Sequence, residues 1–194
     1  MQGRSEDMDA LVGVDMVTIF NQGNTHGPEL LLLKQYRPAI DKVVIQLPGG
    51  MIDEGESPEE AAVRELKEES GYVGVVESQG NILFNCEFLS FFLSFFLFFF
   101  LAGALTRHWL TGSAEAPGFC TNNFKLVYLH VDLSLPENQQ PQTHLEDDEF
   151  IERFTIPVAS LFSELKKLQR DGYGIEARVV GLSEGIEIAR NWSL

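Results

Sequence analysis

The sequence predicts a mixed α/β fold built in layers, and three observations carry that prediction. Apolar, β-branched runs of strand length recur between Leu11 and Leu47 and return from Phe124. A glutamate-rich stretch of helical period lies between them, and from residue 158 onward the apolar residues fall at three-and-four spacing. Strands, a helix, more strands and then helices form a mixed layered sheet, not a regular parallel βαβ series.

Leu11 to Phe20 and Leu30 to Tyr36 read as strands, separated by "NQGNTHGPE", whose Gly, Asn and Pro mark a loop. "VVIQL" at 43 to 47 is a third strand, and "LPGG" after it reads as a turn. Ser57 is a helix cap, Pro58 suits the first helical position, Glu60 can reach back to the cap, and Gly71 ends the helix. Beyond it "YVGVVES" and "NILFN" read as two short strands, "FKLVYLHVDL" as a clear one and "EFIERFTIPV" as another. "VASLFSELKKLQR" and "ARVVGLSEGIEIAR" are helices.

A chain of 194 residues supports one ordinary domain with a full core. Its 14 basic and 29 acidic residues give a formal charge of -15, which repels nucleic acid and anionic membrane, so a phosphate substrate needs cations to approach. Cys86 and Cys120 fit no zinc pattern and no disulfide framework, which points to a reducing, intracellular setting. The acidic N-terminus lacks the features of a secretory signal. The expected compartment is the cytoplasm, with the nucleus as the alternative.

Within the acidic stretch, Glu65, Glu68 and Glu69 stand at i, i+3 and i+4 and project from one helix face, while Val63 and Leu66 turn to the core. Like charges so placed repel by a few tenths of a kcal/mol per pair, roughly the reverse of the attractive i, i+4 effect. Divalent cations with oxygen ligands convert that cost into a binding site, and carbonyls of "LPGG" could complete the coordination.

The spacing of Gly50, Glu56, Arg64, Glu65, Leu66, Glu68, Glu69 and Gly71 resembles the Nudix box, with Tyr72 where that family usually has a bulky aliphatic residue. The resemblance implies a mixed β-sheet sandwiched between helices (α/β/α) and a Mg2+-dependent hydrolase, with Mn2+ as the alternative ion, acting on nucleoside diphosphates linked to another group. It places the metal on Glu65, Glu68, Glu69 and the Gly49 carbonyl. Arg64 orients the glutamates. Gly50 and Met51 fall beside the substrate.

"LLLKQYRPAIDKVVIQLPGG" upstream, with "VDLSLPENQQPQTHLEDDEFIERFTIPV" and "GYGIEARVVGLSEGIEIAR" downstream, resembles the ADP-ribose and ADP-sugar pyrophosphatase branch, especially its eukaryotic members. That likeness implies cleavage of ADP-ribose to AMP and ribose 5-phosphate, a phosphate contact at Arg37 and a general base at Glu149, with Asp148 and Glu152 as its rivals. The expected partner is a small nucleotide sugar. A Nudix domain that binds such a ligand without turnover, or one that hydrolyses another nucleoside diphosphate derivative, is the alternative.

Two departures stand out. Residues 88 to 105 carry eight of the fifteen Phe and no charge, within an atypical stretch at 86 to 115. A membrane span there would separate Glu149 from the metal helix, and Phe, Leu and Ser share pyrimidine-rich codons, so the stretch reads as a translated, retained intron. The second departure is at the front. Members of the branch carry an N-terminal β segment that pairs in a homodimer and sandwiches adenine; this chain begins almost at the catalytic domain, so neither is expected here.

Overall fold

The computed structural model describes residues 11–20, 27–83, 123–145 and 150–192. Residues 86 to 115, Asp148 and Glu149 therefore lie outside the described residues, as do the expectations that fall on them. The strands are β1 (Leu11–Phe20), β2 (Glu29–Arg37), β3 (Lys42–Gln46), β4 (Gly49–Met51), β5 (Val75–Leu83), β6 (Asn123–Val131), β7 (Ile151–Pro157) and β8 (Gly174–Ile175). The helices are α1 (Pro58–Ser70), the short α2 (Pro136–Gln139), α3 (Leu161–Arg170) and α4 (Ala177–Trp192).

All eight strands join one sheet in the order β5-β6-β1-β2-β3-β8, with β4 on β1 and β7 on β2. The sheet is mixed: β1 runs parallel to β6 and β3 to β8, while the other pairings are antiparallel. Successive side chains of a strand point to opposite faces, and that alternation splits the core in two. On one face Val14, Met16 and Phe20 pack with Leu31, Val127 and Leu129 under Ala61, Ala62 and Leu66 of α1. On the other, Val17, Leu30, Leu32 and Ile45 pack under Leu161 and Leu165 of α3 and Val179 of α4. Helices thus cover both faces of the sheet, the α/β/α arrangement the sequence implies.

Local chemistry fixes α1. Ser57 Oγ accepts from the Glu60 amide at 3.3 Å, and Glu60 returns a carboxylate oxygen to the Ser57 amide at 2.9 Å, a reciprocal capping box. Gly71 closes the helix in the left-handed region at φ 73, its amide donating to Lys67 O at 2.8 Å.

Three local readings change. The two short strands expected from "YVGVVES" and "NILFN" meet in one, β5, over Val75–Leu83: the register against β6 shifts between Val76 and Ser78 and again between Gln79 and Ile82, so bulges absorb the irregular sequence without breaking the strand. The glycines of "LPGG" are not a turn but open β4, because Gly49–Met51 pairs with Gly13, Val14 and Asp15. β8 and α2 went unread, being only 2 and 4 residues long. Among the described residues no helix is long and apolar enough to cross a membrane.

Candidate functional site

Arg64 is the centre of the acidic edge of α1. Its Nε and Nη2 donate to the two Glu56 oxygens at 3.0 and 2.9 Å, a fork-to-fork pair. Nη1 donates to Glu65 at 2.9 Å and Glu68 at 3.1 Å, and Nη2 also reaches the Met51 carbonyl at 2.8 Å. The arginine therefore ties the loop after β4 to two of the three glutamates on α1. The hydrogen bonds Arg64 donates to Glu56 raise the Arg64 pKa well above its ordinary value, with Glu65 adding to the effect, while Arg64 in turn lowers the Glu56 carboxyl.

Glu69 is the buried member of the edge, 4% exposed, and accepts from the Gly49 amide at 3.0 Å. The backbone leaves no room for a side chain at Gly49, where a Cβ would run into the Val14 carbonyl, and at Gly50 one would displace the Glu65 carboxylate. Met51 projects outward, 54% exposed. Gly49, Gly50, Met51, Arg64, Glu65, Glu68 and Glu69 are thus brought together by contacts between α1 and β4.

Arg37 is not in that cluster. At the end of β2, its Nε and Nη2 donate to Gln46 Oε1 at 3.1 and 2.8 Å, and Gln46 donates to Gln35 at 3.2 Å. Gln35 and Arg37 alternate with Leu31 and Leu33, which places this polar strip on the α1 side of the sheet. Gln46 is the residue that holds Arg37, a contact sequence reasoning missed because its strand position signalled only packing. Glu152 sits on the opposite face: it ion-pairs with Lys34 at 2.6 Å, and Lys34 lies over Phe154 and Tyr173 on the α3 and α4 side. That geometry turns Glu152 away from the glutamate edge.

Among the described residues, no three His, Cys, Asp or Glu side chains converge as a ready metal cluster. Two of the three glutamates are drawn to Arg64 and the third to Gly49. The donor chemistry nevertheless fits a hard divalent cation: three carboxylates along one helix edge, backed by a glycine cradle that admits the Glu65 carboxylate where a Cβ would exclude it. An open groove of about 840 Å³ runs along α1, lined by Val63, Arg64, Lys67, Glu68, Val76 and His144 among others, so Arg64 and Glu68 of the acidic edge border it.

Comparison with known proteins gives consistent relatives. ADP-ribose pyrophosphatase of Saccharomyces cerevisiae is 37% identical over 182 residues, covering 94% of this chain and 66% of that one. An uncharacterized Nudix hydrolase of Schizosaccharomyces pombe is 35% identical over 164 residues, 82% of this chain and 65% of that one. The ADP-sugar pyrophosphatase of Mus musculus is 40% identical over 75 residues, 39% of this chain and 32% of that one. The chain spans just under two thirds of the length of the two yeast relatives, at 66% and 65%. The pattern described as NUDIX domain matches residues 10–177, and with the box folded as the α1 and β4 edge, the chain belongs to the NUDIX domain family.

Proposed function

We propose that the protein hydrolyses the pyrophosphate bond of ADP-ribose or a related ADP-sugar, releasing AMP and a sugar phosphate. The observation that carries this reading is the Arg64-organised carboxylate edge of α1 lying against the Gly49 and Gly50 cradle. Relatives named ADP-ribose pyrophosphatase and ADP-sugar pyrophosphatase support the substrate class.

Glu65, Glu68 and Glu69, with the Gly49 carbonyl, would hold Mg2+ or Mn2+. When bound, such an ion neutralises diphosphate charge and makes a coordinated water more acidic. The chain's own residues do the rest. Arg64 holds Glu65 and Glu68 in one arrangement, so little reorganisation is needed during the reaction. Arg37, steadied by Gln46 on the α1 side of the sheet, anchors a phosphate through its planar donors. Gly50 lets the Glu65 carboxylate lie against the backbone of the substrate side, and Met51 flanks the ligand. Glu149, on the acidic run that follows Leu145 in sequence, serves as general base for the attacking water. The working compartment is the cytoplasm or nucleus.

The test is a product assay of purified protein on ADP-ribose, ADP-glucose and NADH with and without Mg2+. AMP release from an ADP-sugar that requires the cation supports the reading. Measurable ADP-ribose binding with no turnover assigns the domain to ligand recognition.

A further inference from the structure

The connection from residue 140 to 145 is fastened to α1 by contacts from three directions. The His144 amide donates to Glu68 O at 2.8 Å, taking up a carbonyl of the last helical turn that the helix itself cannot satisfy. The Gln142 backbone lies so close to Gly71 that a Cβ there would collide with it. Arg153 Nη2, reaching across from β7, donates to Pro141 O at 3.1 Å. Arg153 pairs with Leu33 on the α1 side of the sheet, and its guanidinium carbon sits 5.0 Å from the centre of the Tyr72 ring. Tyr72 is itself fixed edge-on against Phe20, ring centres 4.9 Å apart at 66°. Arg153 Nη1 is buried and has no hydrogen-bond partner among the described residues. A buried donor left unmatched is costly, so this position is not explained by packing alone.

We propose that Arg153 is a positioning residue. Stacked on Tyr72 and bonded to Pro141, it latches the 141–144 segment onto the last turn of α1 and so keeps Glu68 and Glu69 in register with the β4 cradle. The kinetic part of this proposal rests on the hydrolase reading; the structural part does not. Loss of the latch would let the His144 bond to Glu68 open, and the turn that carries both glutamates would fray toward solvent.

The experiment compares the full chain with Arg153→Met, Arg153→Lys, Tyr72→Leu and the Tyr72→Leu, Arg153→Met double variant. Leu165→Val, buried under the other face of the sheet, is the control for a general loss of stability. Amide hydrogen exchange should rise about tenfold at His144 in Arg153→Met, with α3 and α4 on the other face of the sheet unchanged. Under saturating Mg2+, kcat for ADP-ribose should fall about tenfold with little change in KM, because small misplacements of reacting groups are costly. Arg153→Lys should recover part of both, and adding Tyr72→Leu to Arg153→Met should add little. Unchanged exchange at His144, or a kcat loss no greater than that of Leu165→Val, would overturn the proposal. If the unsubstituted chain turns over no ADP-sugar, the hydrolase reading fails, and the His144 exchange still decides the latch.

Discussion

Glu69 and its neighbours show how much one carboxylate can decide. Glu69→Gln keeps the shape and an oxygen that can accept from the Gly49 amide, yet removes the charge that a cation needs. We expect a nearly unchanged melting temperature and a kcat at least about a hundredfold lower, more than the loss typical of altering a partner of a metal ligand. Arg37→Ala should instead raise KM about tenfold or more with a smaller effect on kcat, as removal of a charge-assisted contact to substrate does. Glu56 supplies a pH test. Arg64 holds its carboxyl below the ordinary 4.5, so the folded state binds fewer protons than the unfolded chain; the stabilisation is complete above 4.5 and is lost as pH falls through the folded value. Acid titrations followed by circular dichroism should show a shallower loss of stability below that pH in Glu56→Gln. The glutamate edge was legible because i, i+3 and i+4 positions share a helix face whatever surrounds them. Arg153 was not, because its partners Tyr72 and Pro141 are brought to it only by the fold.

At the scale of elements, α1 was read most completely, since its start and stop signals are local: a capping box at Ser57 and a left-handed glycine at its end. Ser57→Ala should cost about 1 kcal/mol of stability. Gly71→Ala should cost more than about 1 kcal/mol, because it adds a strained backbone and a collision with Gln142. Chemical denaturation of the two variants ranks them. The strands were read less well. β4 and β8 exist through their pairing with β1 and β3, so a glycine-rich or two-residue stretch carries no period to reveal them. Asn138 makes a comparable tie, exchanging hydrogen bonds with both backbone groups of Val73 and donating to Asp132 O. Its sequence setting, "PENQQP", carries no period that could reveal such a tie.

For the whole molecule, the alternation of β1 joins the two halves of the core. Val14 and Met16 serve the α1 side while Val17 serves the α3 and α4 side, so neither half can lose its packing without exposing the shared strand. A further contact reaches the cradle strand's neighbour: half-buried Arg178 of α4 meets buried Asp15 of β1, and Asp15 pairs in register with Gly49 of the cradle. Thermal unfolding should therefore be one transition, with secondary-structure and aromatic signals coincident; two separated steps would show that the halves are independent. The layered α/β order was legible from the change of period along the chain, whereas the parallel pairings of β1 with β6 and β3 with β8 join segments too distant for any local signal. The proposed function depends on the β1–β4 pairing in particular, because it holds the glycine cradle that faces the glutamates. The decisive measurement is AMP release from ADP-ribose across a Mg2+ titration for the unsubstituted chain and Glu69→Gln. Saturable, cation-dependent release that the substitution abolishes is the expected result; equal release by both proteins, or release indifferent to Mg2+, would contradict a catalytic metal held by the glutamate edge.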